Sequence, residues 1–347
     1  MQFPKRVLAV LAAAGLLAGG LAACSTGPSG DGGSGSTAKA DAGAFPVTIR
    51  SALGPVTLKK QPKRVVTIGW GSQDAALALG VVPVGMQDMT TDAGVRGGIL
   101  PWDKPKLRGQ RPTLLKVSTN SIPYEKILSL KPDVILGVYS GITKQQYRKL
   151  SDIAPTVGYP DKPWITSWQD QLSMVGKALG RSAEAKRLTA KTNATIAAAA
   201  RKHPEFRGKT AAFGSGTASD SLNFYYDTDA RVELLKQLGF SLSPSVSRLG
   251  AGASTASFAK SVSLEKLPQI DTDVLVSWYL DAGTRKSIES NALFRRNPAV
   301  ARGGYVPLTD PTFVYATSAV DVLSLPWMLD RYLPLLSKAA NGKSTDK

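Results

Sequence analysis

Apolar residues recur along this chain at two spacings, and the alternation between them predicts its architecture. Short unbroken runs such as Val65-Val66-Thr67-Ile68 and Val134-Ile135-Leu136, bounded by charged residues or glycine, predict strands buried on both faces. Further strands are predicted at 81–85 and 156–159, with an edge hairpin at 47–49 and 54–58. Apolar residues three and four apart predict intervening helices at about 72–79, 124–130, 145–153 and 168–179, the last closed by Gly180. Between 88 and 120 the periodicity disappears while Gly, Pro, Arg and Lys accumulate, which predicts loop with short pieces of structure.

The longest periodic stretch is 182–203. Ser182 stands at the expected N-cap, Glu184 in the first turn, Arg201, Lys202 and His203 in the last, and Pro204 just beyond. Leu188, Thr192, Ile196 and Ala199 form a narrow apolar stripe. A helix of this length spans roughly 33 Å, enough to cross a small domain, and it has sequence of similar length on either side.

Those two halves repeat each other. Glu125-Lys126-Ile127 leads to Asp133-Val134-Ile135-Leu136, and Glu265-Lys266-Leu267 leads at the same interval to Asp273-Val274-Leu275-Val276; Tyr139 and Tyr279 then follow at matched positions. Leu79-Gly80-Val81 has a counterpart in Leu238-Gly239-Phe240. The fold class is therefore α/β: two Rossmann-like lobes joined by one long α-helix, with a cleft between them. In open α/β sheets ligands bind at the carboxyl ends of the strands. Trp70, flanked by Gly69 and Gly71 directly after a strand, is a candidate contact there, and Tyr139 and Tyr279 follow their strands in the same way. Trp168 and Trp327 lie at helical spacing among apolar neighbours and are expected in the core.

The ends of the chain add a compartment. Lys5 and Arg6 precede an uncharged apolar run ending in Leu21-Ala22-Ala23-Cys24, the pattern of a secretory signal at 1–23. Its last residues resemble the lipobox of bacterial lipoproteins, so Cys24, the sole cysteine, is the expected lipid acceptor, and Gly-, Ser- and Ala-rich residues 24–44 the expected tether. The lobes are then expected at 45–181 and 204–339, with the linking helix at 182–203 and a tail at 340–347. A net charge of +17 suits an anionic envelope surface; export and the lack of a dense Lys/Arg run argue against nucleic acid.

Catalytic chemistry is short of parts. His203 is the only histidine, best read as a helix-end cap, and there is no Gly-x-Ser-x-Gly elbow, so a Ser-His-Asp hydrolase and an imidazole-built metal site both lack ligands. Tyr225-Tyr226-Asp227 offers oxygen ligands to bare ferric iron, but in a strand adjacent side chains face opposite ways.

Several blocks together resemble one family. Val65 to Ile68 with Ala75 to Gly85, Glu125 to Leu136, Ser151-Asp152-Ile153-Ala154-Pro155-Thr156-Val157, Leu179-Gly180 and Glu265 to Trp278 are similar to the periplasmic binding proteins of ferric siderophore and vitamin B12 importers. Gly69-Trp70-Gly71 and Tyr139-Ser140-Gly141 further resemble iron–siderophore lipoproteins of high-GC Gram-positive bacteria. The resemblance implies a lipid-anchored, extracytoplasmic, monomeric binding protein that is not an enzyme. It would deliver a ferric siderophore to an ABC permease and need no cofactor, since the iron arrives chelated. Cobalamin, heme and ferric citrate remain alternative ligands, and an exported enzyme the competing class. For such a chelate, Trp70, Tyr139, Trp164, Trp278 and Tyr279 offer flat aromatic surface, and Arg108, Arg111 and Arg285 offer guanidinium groups for oxygens around iron. The resemblance also places at Glu125 and Glu265 the two surface glutamates that meet permease arginines.

Overall fold

The computed structural model describes residues 38–118, 120–251 and 257–343; the expected signal sequence and Cys24 lie outside the described residues. A hairpin of β1 (Val47–Ile49) and β2 (Val56–Leu58) stands apart as its own two-stranded sheet. Then β3 (Val65–Thr67), α1 (Ser72–Ala78), β4 (Gly85–Gln87), β5 (Thr113–Leu115), α2 (Tyr124–Ser129), β6 (Val134–Leu136), α3 (Lys144–Ser151), β7 (Thr156–Val157) and α4 (Trp168–Ala178) alternate. The five strands after the hairpin form a parallel sheet in the order β5-β4-β3-β6-β7. Every residue of β3 and β6 is buried, as unbroken apolar runs require when helices cover both faces. One local expectation shifts. The strand expected at 81–85 joins β3 only from Val84, whose N–H donates to the Val65 carbonyl at 2.8 Å, and β4 itself runs on to Gln87; Pro83 has no N–H to give a ladder. The stretch 88–120, expected as loop with short pieces of structure, holds β5 as one of them.

The linking helix is α5 (Ser182–Lys202), and it buries Ala185, Thr192, Ile196 and Ala199 against α4 of the first lobe and α6 and α12 of the second. Ser182 is its first helical residue rather than its cap, with Arg181 in the cap position and no side-chain cap of its own. Asp41 supplies what is missing: its Oδ2 accepts the Ala183 N–H at 2.9 Å, and its own N–H donates to the Gly180 carbonyl at 2.7 Å. Arg181 Nη1 donates to the Lys39 carbonyl at 2.7 Å. The last residues of the expected tether thus belong to the folded body, because they complete a helix end that would otherwise leave donors unpaired.

Beyond α5 come β8 (Thr210–Ala218), β9 (Ser221–Tyr225), α6 (Ala230–Gln237), β10 (Ser241–Leu242), α7 (Pro244–Gly250), β11 (Ala259–Ser263) and β12 (Val274–Tyr279). The chain ends with α8 (Ala282–Ser290), α9 (Ala292–Arg295), α10 (Pro298–Ala301), β13 (Tyr305–Leu308), α11 (Pro311–Ser318) and α12 (Ser324–Ala340). This sheet runs β11-β9-β8-β12-β13 with β10 beside β8, and only β9 lies antiparallel to its neighbours. The second lobe therefore matches the first in its β8-β12-β13 half and departs from it at the β8–β9 hairpin.

The lobes are also welded along α11 and the start of α12. Tyr315 packs against Trp70 and Trp102, Trp102 against Trp327, and Thr312 Oγ1 donates to the Ala93 carbonyl at 2.9 Å. Inside this seam lie three aspartates, Asp74 and Asp103 from the first lobe and Asp321 from the second, with 0, 0 and 2% of their surface exposed. Trp102 Nε1 donates to Asp74 Oδ1, and Asp321 Oδ1 accepts the N–H groups of Leu323 and Ser324 at 2.7 and 2.9 Å. Asp74 Oδ2, Asp321 Oδ2 and both Asp103 oxygens have no N–H or hydroxyl donor among the described residues. Left charged, these oxygens would be buried with nothing to offset them, which disfavours the ionised form. Burial, and then mutual repulsion, raise all three well above the carboxylate range.

Carboxyls whose folded pKa is raised stabilise the fold fully below about pH 4, and that stabilisation is lost as pH rises through their folded values. Unfolding free energy should therefore fall across this window, by up to about 1.4 kcal/mol per pH unit for each proton retained. Asp103→Asn removes one titrating group while keeping a hydrogen-bond donor in its place. Denaturation from pH 4 to 8 at fixed ionic strength should give the variant the shallower slope; equal slopes would mean that Asp103 does not keep its proton in the folded protein.

Candidate functional site

The first sheet changes direction at β3: β4 and β5 extend it to one side, β6 and β7 to the other. At such a switch point the loops leaving two neighbouring strands part and open a crevice. Here those loops are Gly69-Trp70-Gly71 after β3 and Tyr139-Ser140-Gly141 after β6. They touch through the Trp70 N–H, which donates to the Tyr139 carbonyl at 2.9 Å. A Cβ on Gly69 would run into that carbonyl, and φ there is +76°, so only glycine lets the loops meet.

Trp70 is fixed on all sides. Gln171 Nε2 donates to its carbonyl at 2.6 Å, and its own Nε1 donates to Asp92 Oδ2 at 2.8 Å. Gln87 ties the set together, its Oε1 accepting the Gly69 N–H at 2.8 Å and its Nε2 donating to the same Asp92 oxygen at 2.7 Å. The Trp70 ring meets Trp164 edge-on at 5.4 Å and Tyr139 at 6.3 Å. Trp164 is held at φ +61°, a left-handed conformation costly for a bulky residue. Its ring lies over Gly141, where any Cβ would displace it.

Three recesses meet around these rings. One of about 180 Å3 lies within the first lobe between Trp70, Asp92, Ser140 and Trp164. It shares Asp92 with a recess of about 630 Å3 that the second lobe closes with Trp278, Tyr279, Asp281 and Arg285. It shares Trp164 with another of about 310 Å3, bounded by Tyr139, Trp168, Asp170 and, from the second lobe, Thr228 and Glu233. The cleft thus carries aromatic rings from both lobes. Burial pushes Tyr139 and Tyr279 up to about 12, so both remain neutral phenols near pH 7. The Tyr279 hydroxyl pairs with that of Tyr305, which donates to Glu289 Oε1 at 2.7 Å. Arg285 Nε donates to that same oxygen at 2.7 Å.

Trp70, Tyr139, Trp164, Trp278, Tyr279 and Arg285 are brought together. Arg108 and Arg111 are not. Arg108 ends a 3-10 turn with its guanidinium near Gly80, and exposed Arg111 lies just before β5; both occupy the amino-terminal edge of the sheet, because the strands run from there toward the cleft. Tyr225 and Tyr226 do not converge on a common point: Tyr225 donates to Ser215 Oγ at 3.1 Å and Tyr226 to the Leu249 carbonyl at 3.4 Å. His203 is the C-cap residue of α5, as expected, with its Nδ1 2.9 Å from Glu205 Oε1 and its ring stacked on Phe206. Trp168 is buried, and Trp327 half-buried between Trp102 and the Arg331 guanidinium. Glu125 and Glu265 are both exposed, each at the start of the segment that leaves the cleft edge of its sheet.

Sequence reasoning missed Asp92 and Gln87. Gln87 ends β4, beyond the expected end at 85, and Asp92 lies five residues further on in a loop without periodicity. It also missed Arg231, whose guanidinium lies 4.1 Å from the Tyr225 ring centre, 2.8 Å from Asp229 Oδ2 and 3.1 Å from Ser318 Oγ.

Residues 65–309 match the periplasmic binding protein family model. The chain is 28% identical to the "Fe(3+)-citrate-binding protein YfmC" of Bacillus subtilis over 261 residues, 74% of this chain and 76% of that protein. It is 26% identical to the "Probable siderophore-binding lipoprotein YfiY" of the same organism over 296 residues, 82% and 85% of the two chains. The solved structure of Streptococcus pneumoniae PiaA in complex with ferrichrome superposes with a TM-score of 0.75 at 33% identity, covering 85% of this chain and 99% of that one.

Gly141 shows no left-handed φ, so alanine there disturbs only what its methyl touches. Gly141→Ala should move the Trp164 ring, change the tryptophan fluorescence and near-ultraviolet dichroism, and leave the far-ultraviolet spectrum unchanged. An unaltered near-ultraviolet signal would mean that Trp164 does not rest on Gly141.

Proposed function

This chain belongs to the periplasmic binding protein family, and we propose that its cleft captures a ferric siderophore outside the cytoplasm and hands it to an ABC permease. The family binds substrates for transport, so the chain is a binding protein and not an enzyme. The observation that carries the ligand reading is the run of rings along linked recesses at a topological switch point: Trp70 and Trp164 line the first-lobe recess, and Trp278 and Tyr279 line the second-lobe side of the recess that shares Asp92 with it. Flat rings with neutral phenols suit the organic shell of a chelate whose iron already has its ligands. PiaA, bound to ferrichrome, supports this reading.

A lipid on Cys24 anchors the protein, as the signal-like residues 1–23 and the lipoprotein relative support. No helix among the described residues is long and apolar enough to cross a membrane. Glu125 and Glu265, exposed at equivalent places on the two lobes, dock on the permease; two carboxylates at fixed separation suit two like subunits.

Purified protein should lose tryptophan fluorescence on titration with ferric siderophores and remain inert to cobalamin. The double variant Glu125→Arg/Glu265→Arg should titrate like the parent yet fail to support iron-chelate uptake in cells where it is the only copy. Full uptake would remove the docking role, and an unresponsive parent would remove the ligand reading.

A further inference from the structure

The charge of the cleft is opposite to that of the chain. Lys and Arg outnumber Asp and Glu by 43 to 26 in the sequence. Around the three recesses the order reverses: Asp92, Asp170, Glu233 and Asp281 line them, against Arg285 as the one lining cation among the described residues. Arg285 already faces Glu289, and Lys236, next to Glu233, bonds that carboxylate at 3.2 Å and Asp227 at 2.9 Å. Arg231, the buried guanidinium behind Tyr139, is matched by Asp229. Arg285, Lys236 and Arg231 are thus each committed to a carboxylate of the protein itself, and the neighbouring recess that shares Thr228 carries one cation, Lys162, and one acid, Asp227, in its lining.

Asp92 is different. It stands where the first-lobe recess meets the inter-lobe one, half-buried, and its Oδ2 is held by two neutral donors, the Trp70 indole and the Gln87 amide. Those bonds fix the carboxylate but cancel none of its charge. A chelate resting on Trp70 would come within a few ångströms of it, closer than the roughly 8 Å over which salt screens a charge. The positive surface farther away is screened beyond that distance and so cannot offset Asp92 at contact.

We infer that the cleft selects a ferric chelate without net negative charge, neutral or cationic as in the ferric tris-hydroxamates, and that Asp92 is the residue that sets this preference. This rests on the reading of the cleft as a ferric-siderophore site. A tris-catecholate of charge −3 or a ferric citrate would have to displace carboxylates from their paired cations, or lie against Asp92 uncompensated. Each unit of ligand charge near a half-buried carboxylate should shift affinity by about tenfold.

The test is fluorescence titration of the purified folded protein with three probes of different charge: ferrichrome (neutral), ferrioxamine B (cationic) and ferric enterobactin (−3). Ferrichrome and ferrioxamine B should bind at least about a hundredfold more tightly than ferric enterobactin, and added NaCl should narrow that gap. Asp92→Asn keeps an oxygen for both donors, and it should cut the ratio of ferrioxamine B to ferrichrome affinity by about tenfold. Comparing one variant with one parent removes ligand shape from that ratio. Ferric enterobactin binding as tightly as ferrichrome, or a ratio unmoved by Asp92→Asn, would overturn the inference while leaving the siderophore reading intact. Binding of none of the three would overturn both. Should the variant fail to fold, the parent's own selectivity and its salt dependence still decide the matter.

Discussion

The separation of the two lobes depends on a buried seam in which aromatic rings and carboxyl groups of both lobes pack together. Charged, Asp74, Asp103 and Asp321 would repel one another in a site with too few donors, and burial with that repulsion holds all three well above the carboxylate range. Around them Trp102, Tyr315 and Trp327 fill the seam with rings. A linking helix alone could pivot at its ends. A second connection that buries aromatic surface and satisfies polar groups only in one arrangement removes that freedom, so the cleft is a shape built into the fold rather than a gap between moving halves.

The site inherits that rigidity. Tyr315 is part of the seam and also touches Trp70 at 5.2 Å, so the same ring that holds the lobes supports the floor of the cleft. Trp70 is then pinned by Asp92, Gln171 and the Tyr139 carbonyl, and Trp164 sits in a strained backbone conformation over a glycine. Rings held in advance lose little side-chain entropy when a ligand arrives. That suits a protein whose task is to capture a rigid chelate without changing its chemistry.

Much of this was legible in the sequence, for a physical reason: strands covered on both faces must be apolar throughout, and the long helix had to show one apolar stripe. Trp70 stood out because glycines on both sides of a large ring, directly after a strand, mark a loop that presents it. Asp92 lies five residues past the end of β4 in a stretch without periodicity, so nothing local marked it. Arg108 and Arg111 looked like cleft arginines because a loop of uncertain path can be drawn to either edge of a sheet; the three residues of β5 between them and the cleft decide the matter. The aspartate seam left no sequence signal. Asp74 reads as an ordinary first-turn acid of α1, and its partners stand at 103 and 321, so only tertiary packing brings them together.

Anomalous diffraction at the iron edge, from crystals grown with a ferric siderophore, tests the central claim most directly. The predicted result is an iron peak in the recesses lined by Trp70, Trp164, Asp92 and Trp278, with chelate oxygens alone around it and the lobes oriented as they are without ligand. An iron peak outside these recesses, or one ligated by a side chain of the protein, would contradict it.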